Sequence, residues 1–148
     1  MSSTNHLALT ALEDFWSPDE KILFLGEWCR KFERRDYWET LDYELLESPF
    51  SKPDLDRQAY CYVLSLKEEI LPLLAEQLNQ IHGSQFSMRY WRIVVGPWLD
   101  NYIAAYYDRY IHLKAALNDY PDLLTVLLDP DDCKLLDDTL EWQAALVT

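Results

Sequence analysis

Between residues 88 and 114 the large apolar positions return every three or four residues: Trp91, Val95, Trp98, Tyr102, Tyr106, Tyr110 and Leu113, with Arg109 beside Tyr110. That spacing predicts one face of a long helix, interrupted at Gly96-Pro97. A second helical pattern passes through Leu55, Ala59, Tyr62, Leu66, Ile70, Leu73, Leu78 and Ile81. Asp54 is its expected N-cap and Gly83 its expected left-handed C-cap. Pro72 lies inside this pattern and offers no amide proton to residue 68, so a kink or break is expected over 68–71.

Other stretches are apolar throughout, with no polar alternation. The run KILFLG at 21–26 and the run LLTVLL at 123–128 predict strands buried on both faces of a sheet. YELLE at 43–47, stopped by Ser48-Pro49, reads as a further strand. Residues 7–15 read as a short amphipathic patch, 30–38 as a short mixed-charge helix, and 139–147 as the start of a last helix. Short buried strands separated by helices imply an α/β fold: a small parallel, Rossmann-like sheet of two to four strands with long kinked helices. All 148 residues fit one domain. The last segment, with Leu140, Trp142, Ala145, Leu146 and Val147, is apolar and lacks a closing cap. The chain is therefore expected to be the amino-terminal part of a longer two-domain protein, with an exposed apolar carboxyl end able to associate.

A hydrophobic content of 49% with 14% aromatics argues for a folded core rather than disorder. The net charge of −13 is spread over both halves, with eight basic against fifteen acidic groups in 1–74 and five against eleven in 75–148. Such a field disfavours nucleic acid and anionic membrane surfaces as partners. Cys29, Cys61 and Cys133 are widely spaced and have no paired or His-containing ligand spacing, so neither a disulfide framework nor a zinc site is expected. No signal peptide and no transmembrane segment is recognisable, which predicts a cytoplasmic protein. No cofactor is expected. Asp129, Asp131 and Asp132 lack the glycine and terminal glutamate of a calcium loop and read as a solvated turn.

Several residues are candidates for chemistry. Gly26 and Glu27 follow the carboxyl end of a predicted strand, where open α/β sheets bind ligands; either Gly26 lets backbone approach a ligand and Glu27 acts as general base or holds a sugar hydroxyl, or the segment is a tight strand-to-helix turn with an exposed carboxylate. Arg89 and Arg92, three apart beside Trp91, have the spacing to clamp one anion, or equally to be held by a neighbouring acid such as Glu27 or Asp100. His82 is a candidate acid–base group or, before Gly83, a complement to a helix end. Tyr107 and its neighbours offer rings for stacking on sugars or for core packing. The basic run Arg30, Lys31, Arg34 and Arg35, interleaved with Glu33 and Asp36, reads as a solvated face.

LALTAL at 7–12, KILFLGEWC at 21–29, IHG at 81–83, RYWRIVVGPWLDNYI at 89–103 and YDRY at 107–110 together resemble a bacterial family of long transferases. That family is linked to surface-carbohydrate, O-antigen-type biosynthesis. The likeness runs from about Leu7 through Trp142 and covers only the amino-terminal part of such proteins. It implies a glycosyltransferase-like architecture in which this portion handles the acceptor and a further domain binds the activated sugar. Its partners would be an activated sugar and a carbohydrate acceptor, and the portion alone would be inactive. The alternative is a free-standing acidic α/β module that binds a protein or a small anionic ligand.

Overall fold

The computed structural model describes residues 5–127. Their chain forms two compact units, one of residues 5–49 and 111–127 and the other of residues 50–110. Of the strand expected at 123–128, only Leu123–Leu124 forms among the described residues; residues 125–127 leave the sheet, and Leu124, Val126 and Leu127 are exposed rather than buried on both faces, because this strand lies at the sheet edge. The aspartate cluster at 129–132 and the helix at 139–147 lie outside the described residues.

The first unit is a parallel four-stranded sheet: β1 (Asn5–Ala8), β2 (Lys21–Phe24), β3 (Tyr43–Leu45) and β4 (Leu123–Leu124), in the order β3-β2-β1-β4. Registers pair Leu7 with Leu23, Leu23 with Glu44, and Asn5 with Leu123. The run at 21–26 forms a central strand because Ile22, Leu23 and Phe24 are apolar on both faces and fully covered. The short helix α1 (Arg35–Trp38) follows a single 3₁₀ turn at Phe32–Arg34. Trp16 meets Phe24 edge-on at 5.0 Å, and Trp38 meets Tyr43 edge-on at 5.7 Å, so aromatic rings fill much of this core.

One expectation is corrected here. Residues 7–15 are not an amphipathic patch: Asn5–Ala8 is the strand between β2 and β4, with His6, Leu7 and Ala8 buried. His6 is tolerated inside because its Nε2 donates to the Phe15 carbonyl at 2.8 Å. Four residues of modest β-propensity carry no period long enough to read.

The second unit is built on α2 (Pro53–His82), α3 (Met88–Val94) and the first part of α4 (Gly96–Asp119), whose remaining turns belong to the first unit. Lys52, not Asp54, is the N-cap of α2; Pro53 opens the helix, where a missing amide proton costs nothing. Asp54 and Asp56 instead place negative charge in the first turn, complementing the helix dipole. Of the kink or break expected over 68–71, the break is absent: α2 runs on for 30 residues with Pro72 inside it, and Leu71 and Ala75 are buried on either side of the proline. Gly83 is left-handed at φ 57°, and the Gly83 and Ser84 amides close on Gln80 and Asn79, a Schellman cap. Ser87 caps α3 by accepting from the Tyr90 amide, and the helix breaks at Val95 ahead of Gly96-Pro97.

The buried row of α4 differs from the aromatic stripe. Leu99 and Ile103 pack with Leu71, while Tyr106 and Tyr110 are 60% and 57% exposed. Leu99 and Ile103 lie four apart, one position round the helix from Trp98 and Tyr102. Two such rows share a spacing, so periodicity alone does not choose between them.

Candidate functional site

In the first unit, the chain passes from β1 to β2 and β3 on one side, then returns to place β4 on the other side of β1. The strand order therefore reverses between β1 and β4. In an open parallel sheet, the loops leaving the carboxyl ends of two such strands depart in opposite directions and leave a crevice between them. A crevice of about 100 Å3 is found there, lined by Leu7–Thr10, by Phe15 and Trp16, and by Thr125–Leu127. Thr125 Oγ1 donates to the Leu7 carbonyl at 2.8 Å, and Trp16 Nε1 donates to the Thr10 carbonyl at 3.0 Å. The crevice walls are thus pinned by side chains to backbone.

The loop after β2 is fastened to the same edge. Ala8 carbonyl accepts from the Leu25 amide and from Cys29 Sγ, and Leu9 carbonyl accepts from Trp28 Nε1. Cys29 is wholly buried. Gly26 is extended, and a Cβ there would lie 2.1 Å from Cζ3 of Trp28, so the space beside Gly26 is occupied by an indole. Glu27 projects outward with 74% exposure and is hydrogen-bonded by Arg30. The loop after β1 is held by Arg34, whose Nε and one Nη each donate to Glu13 at 2.7 Å. That bidentate contact holds the Glu13 carboxyl below its ordinary range and raises Arg34.

Arg30 departs from the solvated face expected of its basic run. Its side chain is only 13% exposed, and its guanidinium lies 4.8 Å from the Trp38 ring and 5.6 Å from that of Tyr43. Arg30 Nε is buried with no hydrogen-bond partner among the described residues. A buried cation beside Glu27 at the sheet edge was illegible in sequence, because a run of mixed charges does not say which member turns inward.

In the second unit, α2 and α3 meet at a corner organised by Asn79. Its Oδ1 accepts from the Phe86 amide at 3.0 Å, from Ser84 Oγ at 2.9 Å and from Trp91 Nε1 at 3.0 Å, while Nδ2 donates to the Phe86 carbonyl at 3.0 Å. His82 stacks on Trp91 at 6.1 Å and is exposed, whereas Trp91 is buried. Arg92 turns to Glu68, giving two charge-assisted bonds of 2.5 and 2.7 Å. The pair raises Arg92 and holds the Glu68 carboxyl low, and both remain about half exposed. Arg89 is exposed and makes no ion pair among the described residues.

Tyr107 lies elsewhere in this unit, on a groove between α2 and α4 of about 440 Å3. Tyr62 of α2 tilts against Tyr107 at 4.9 Å. Along α4, Trp98 stacks on Tyr102 at 4.9 Å and Tyr102 meets Tyr106 at 4.6 Å.

A transferase family model matches residues 5–146, nearly the whole chain. The chain belongs to the LIC12162 family of transferases. Comparisons with curated protein sequences and with solved structures each return no match. For a LIC12162 family member, the sheet order is the informative part of the geometry, since transferase chemistry needs a place where loops converge on a substrate. Among the described residues of this family member, no helix is long and apolar enough to cross a membrane. No cluster of three or more His, Cys, Asp or Glu stands ready to hold a metal ion among those residues either.

Proposed function

We propose that this chain is the acceptor-side portion of a transferase of bacterial surface-polysaccharide biosynthesis, and that it does not complete transfer by itself. The observation that carries this reading is the strand-order reversal between β1 and β4, with its crevice at the carboxyl edge, in a chain of a transferase family. Carbohydrate as the substrate class rests on the motif resemblance at 21–29 and 89–103.

The proposed reaction is glycosyl transfer. An acceptor hydroxyl oxygen bonds to the anomeric carbon, the bond from that carbon to the donor phosphate oxygen breaks, and the phosphate leaves with the electron pair. Glu27, exposed at the end of the loop after β2, takes the hydroxyl proton, and Arg30 holds the carboxylate in position. Taken by itself, the helical unit offers Arg89 as a cation for an anionic ligand group, with the nearby Arg92 held by Glu68.

The test is a thermal-melt titration of the chain with nucleotide sugars, sugar phosphates and neutral oligosaccharides, repeated on Glu27→Gln and Thr125→Val. A rise in midpoint with acceptor-type carbohydrate, weakened in both variants, supports the reading. A rise with nucleotide sugar alone would assign the crevice to the donor and overturn it.

A further inference from the structure

We infer that the tyrosine-lined groove of the helical unit is a binding subsite for uncharged sugar rings of a glycan. The inference rests on the carbohydrate reading above but uses a different surface. Five tyrosines, Tyr62, Tyr102, Tyr106, Tyr107 and Tyr110, rim the groove over a floor of Leu66, Ile70 and Ile103. Its volume of about 440 Å3 falls in the range of small-ligand clefts. Tyr62, Tyr106 and Tyr110 are each at least half exposed, so the rings face solvent rather than core.

The composition of the lining selects the ligand. No charged side chain is among the described residues that line the groove, so phosphates, nucleotides and acidic sugars find no counter-charge there. An acyl chain fits the floor, but it would strip water from phenol hydroxyls and return no hydrogen bond, a cost that leucine or phenylalanine at the same positions would avoid. A neutral sugar ring matches both features. Its C–H face lies on an aromatic face, and its hydroxyls both donate to and accept from phenols. The rings are also partly organised in advance: Tyr102 lies against Tyr106 at 4.6 Å, and Tyr62 lies against Tyr107 at 4.9 Å. A ligand thus meets rings whose freedom is already reduced.

The experiment is fluorine NMR on the chain labelled with 3-fluorotyrosine, each resonance assigned by a single Tyr→Phe variant. Neutral pentasaccharides of glucose, galactose and a 6-deoxyhexose are the probes, beside dodecyl phosphocholine as an acyl-chain probe. Saturable shifts confined to Tyr62, Tyr102, Tyr106, Tyr107 and Tyr110, with Tyr37 and Tyr43 of the sheet unit unmoved, are expected for at least one glycan. Tyr106→Ala should weaken that binding about tenfold, and Tyr106→Phe, which keeps the ring, by less. Tyr106 is exposed enough that its truncation leaves the fold intact, which the unperturbed resonances of the sheet unit check directly. Shifts produced only by the acyl-chain probe, or no saturable shift at these tyrosines with any glycan at millimolar concentration, would overturn the inference. Glycan binding at the groove without any effect in the crevice titration would keep this inference and discard the transferase reading of the edge. The reverse result would discard the groove alone.

Discussion

Tyr120 donates its phenolic hydrogen to the carboxylate of Glu44, 76 residues earlier. Glu44 sits in the middle of β3, one edge of the sheet, and Tyr120 stands just ahead of β4, the other edge. Lys21, which opens β2, binds the second oxygen of the same carboxylate at 2.9 Å. One acid therefore links β2, β3 and the approach to β4, and the connection that positions β4 also sets the crevice beside β1. Tyr120→Phe is expected to destabilise the sheet unit by about 1 kcal/mol, the lower end for a bond to a charged acceptor because the pair is only half-buried. Urea unfolding of Tyr120→Phe, Glu44→Gln and the double variant should yield a coupling energy of similar size, about 1 kcal/mol.

The same pair predicts a pH dependence at each end. The Glu44 carboxylate pushes the Tyr120 phenol up to about 12, against about 10 for an unfolded tyrosine. The folded state then holds a proton that the unfolded chain releases. Its contribution is full below about pH 10 and is lost as pH rises through about 12. Glu44 is held low, first by Tyr120 and then by Lys21, so its contribution is present above the ordinary carboxylate range and disappears as pH falls through its depressed value. Melting curves from pH 8 to 12 should show the difference between wild type and Tyr120→Phe closing over the upper two units. A constant difference would remove the hydrogen bond as its cause.

Gly26→Ala tests whether the sheet edge depends on the Trp28 indole. The added methyl would collide with a ring held by its bond to Leu9 and by edge contact with His112 at 4.9 Å. A loss of about 1–3 kcal/mol is expected. In a Trp28→Ala background the same change should cost much less, and additive losses would show that something other than this contact requires the glycine.

Asn79→Ala removes one acceptor shared by three donors and one donated bond, and is expected to cost about 2–3 kcal/mol. Hydrogen exchange should locate the effect at the corner between α2 and α3. Asn79→Asp keeps the oxygen that accepts from Phe86, Ser84 and Trp91 but sets a second carboxylate oxygen against the Phe86 carbonyl, so it should also cost stability, through that one contact.

Glu68→Gln leaves Arg92 with a neutral partner. Under the anion-contact proposal, affinity for inorganic phosphate in the helical unit should rise about tenfold, and Arg92→Ala should abolish the gain. Calorimetric titration reads both. Unchanged affinity in Glu68→Gln would leave the arginine as a surface ion pair.

What could be read in advance follows the range of the forces involved. The cap at Gly83, the break ahead of Gly96-Pro97, and the buried strand at Lys21–Phe24 depend on neighbours within a few residues, so composition and spacing reveal them. Placing Gly26 and Glu27 at a strand end was equally local. With β1 unrecognised, the strand-end rule attached to β2, whereas the reversal lies one strand over. Trp16 and Thr125, which frame the crevice with Thr10, carry no motif of their own; Trp16 meets Thr10 locally, but Thr125 reaches the Leu7 carbonyl from 118 residues away.

The sequence by itself determined an α/β chain of a transferase family, two long helices, the glycine that stops the first and the Gly-Pro that interrupts the second, because helix period and cap chemistry act over one or two turns; the start of α2 it misplaced by two residues. Only the tertiary structure decided that Asn5–Ala8 is an interior strand and that β4 returns beside it. It also decided that Arg30 turns inward and that α4 buries Leu99 and Ile103 rather than its tyrosines. Each of these is a choice between locally equivalent arrangements, and strand pairing and burial against distant residues supply the free energy that separates them.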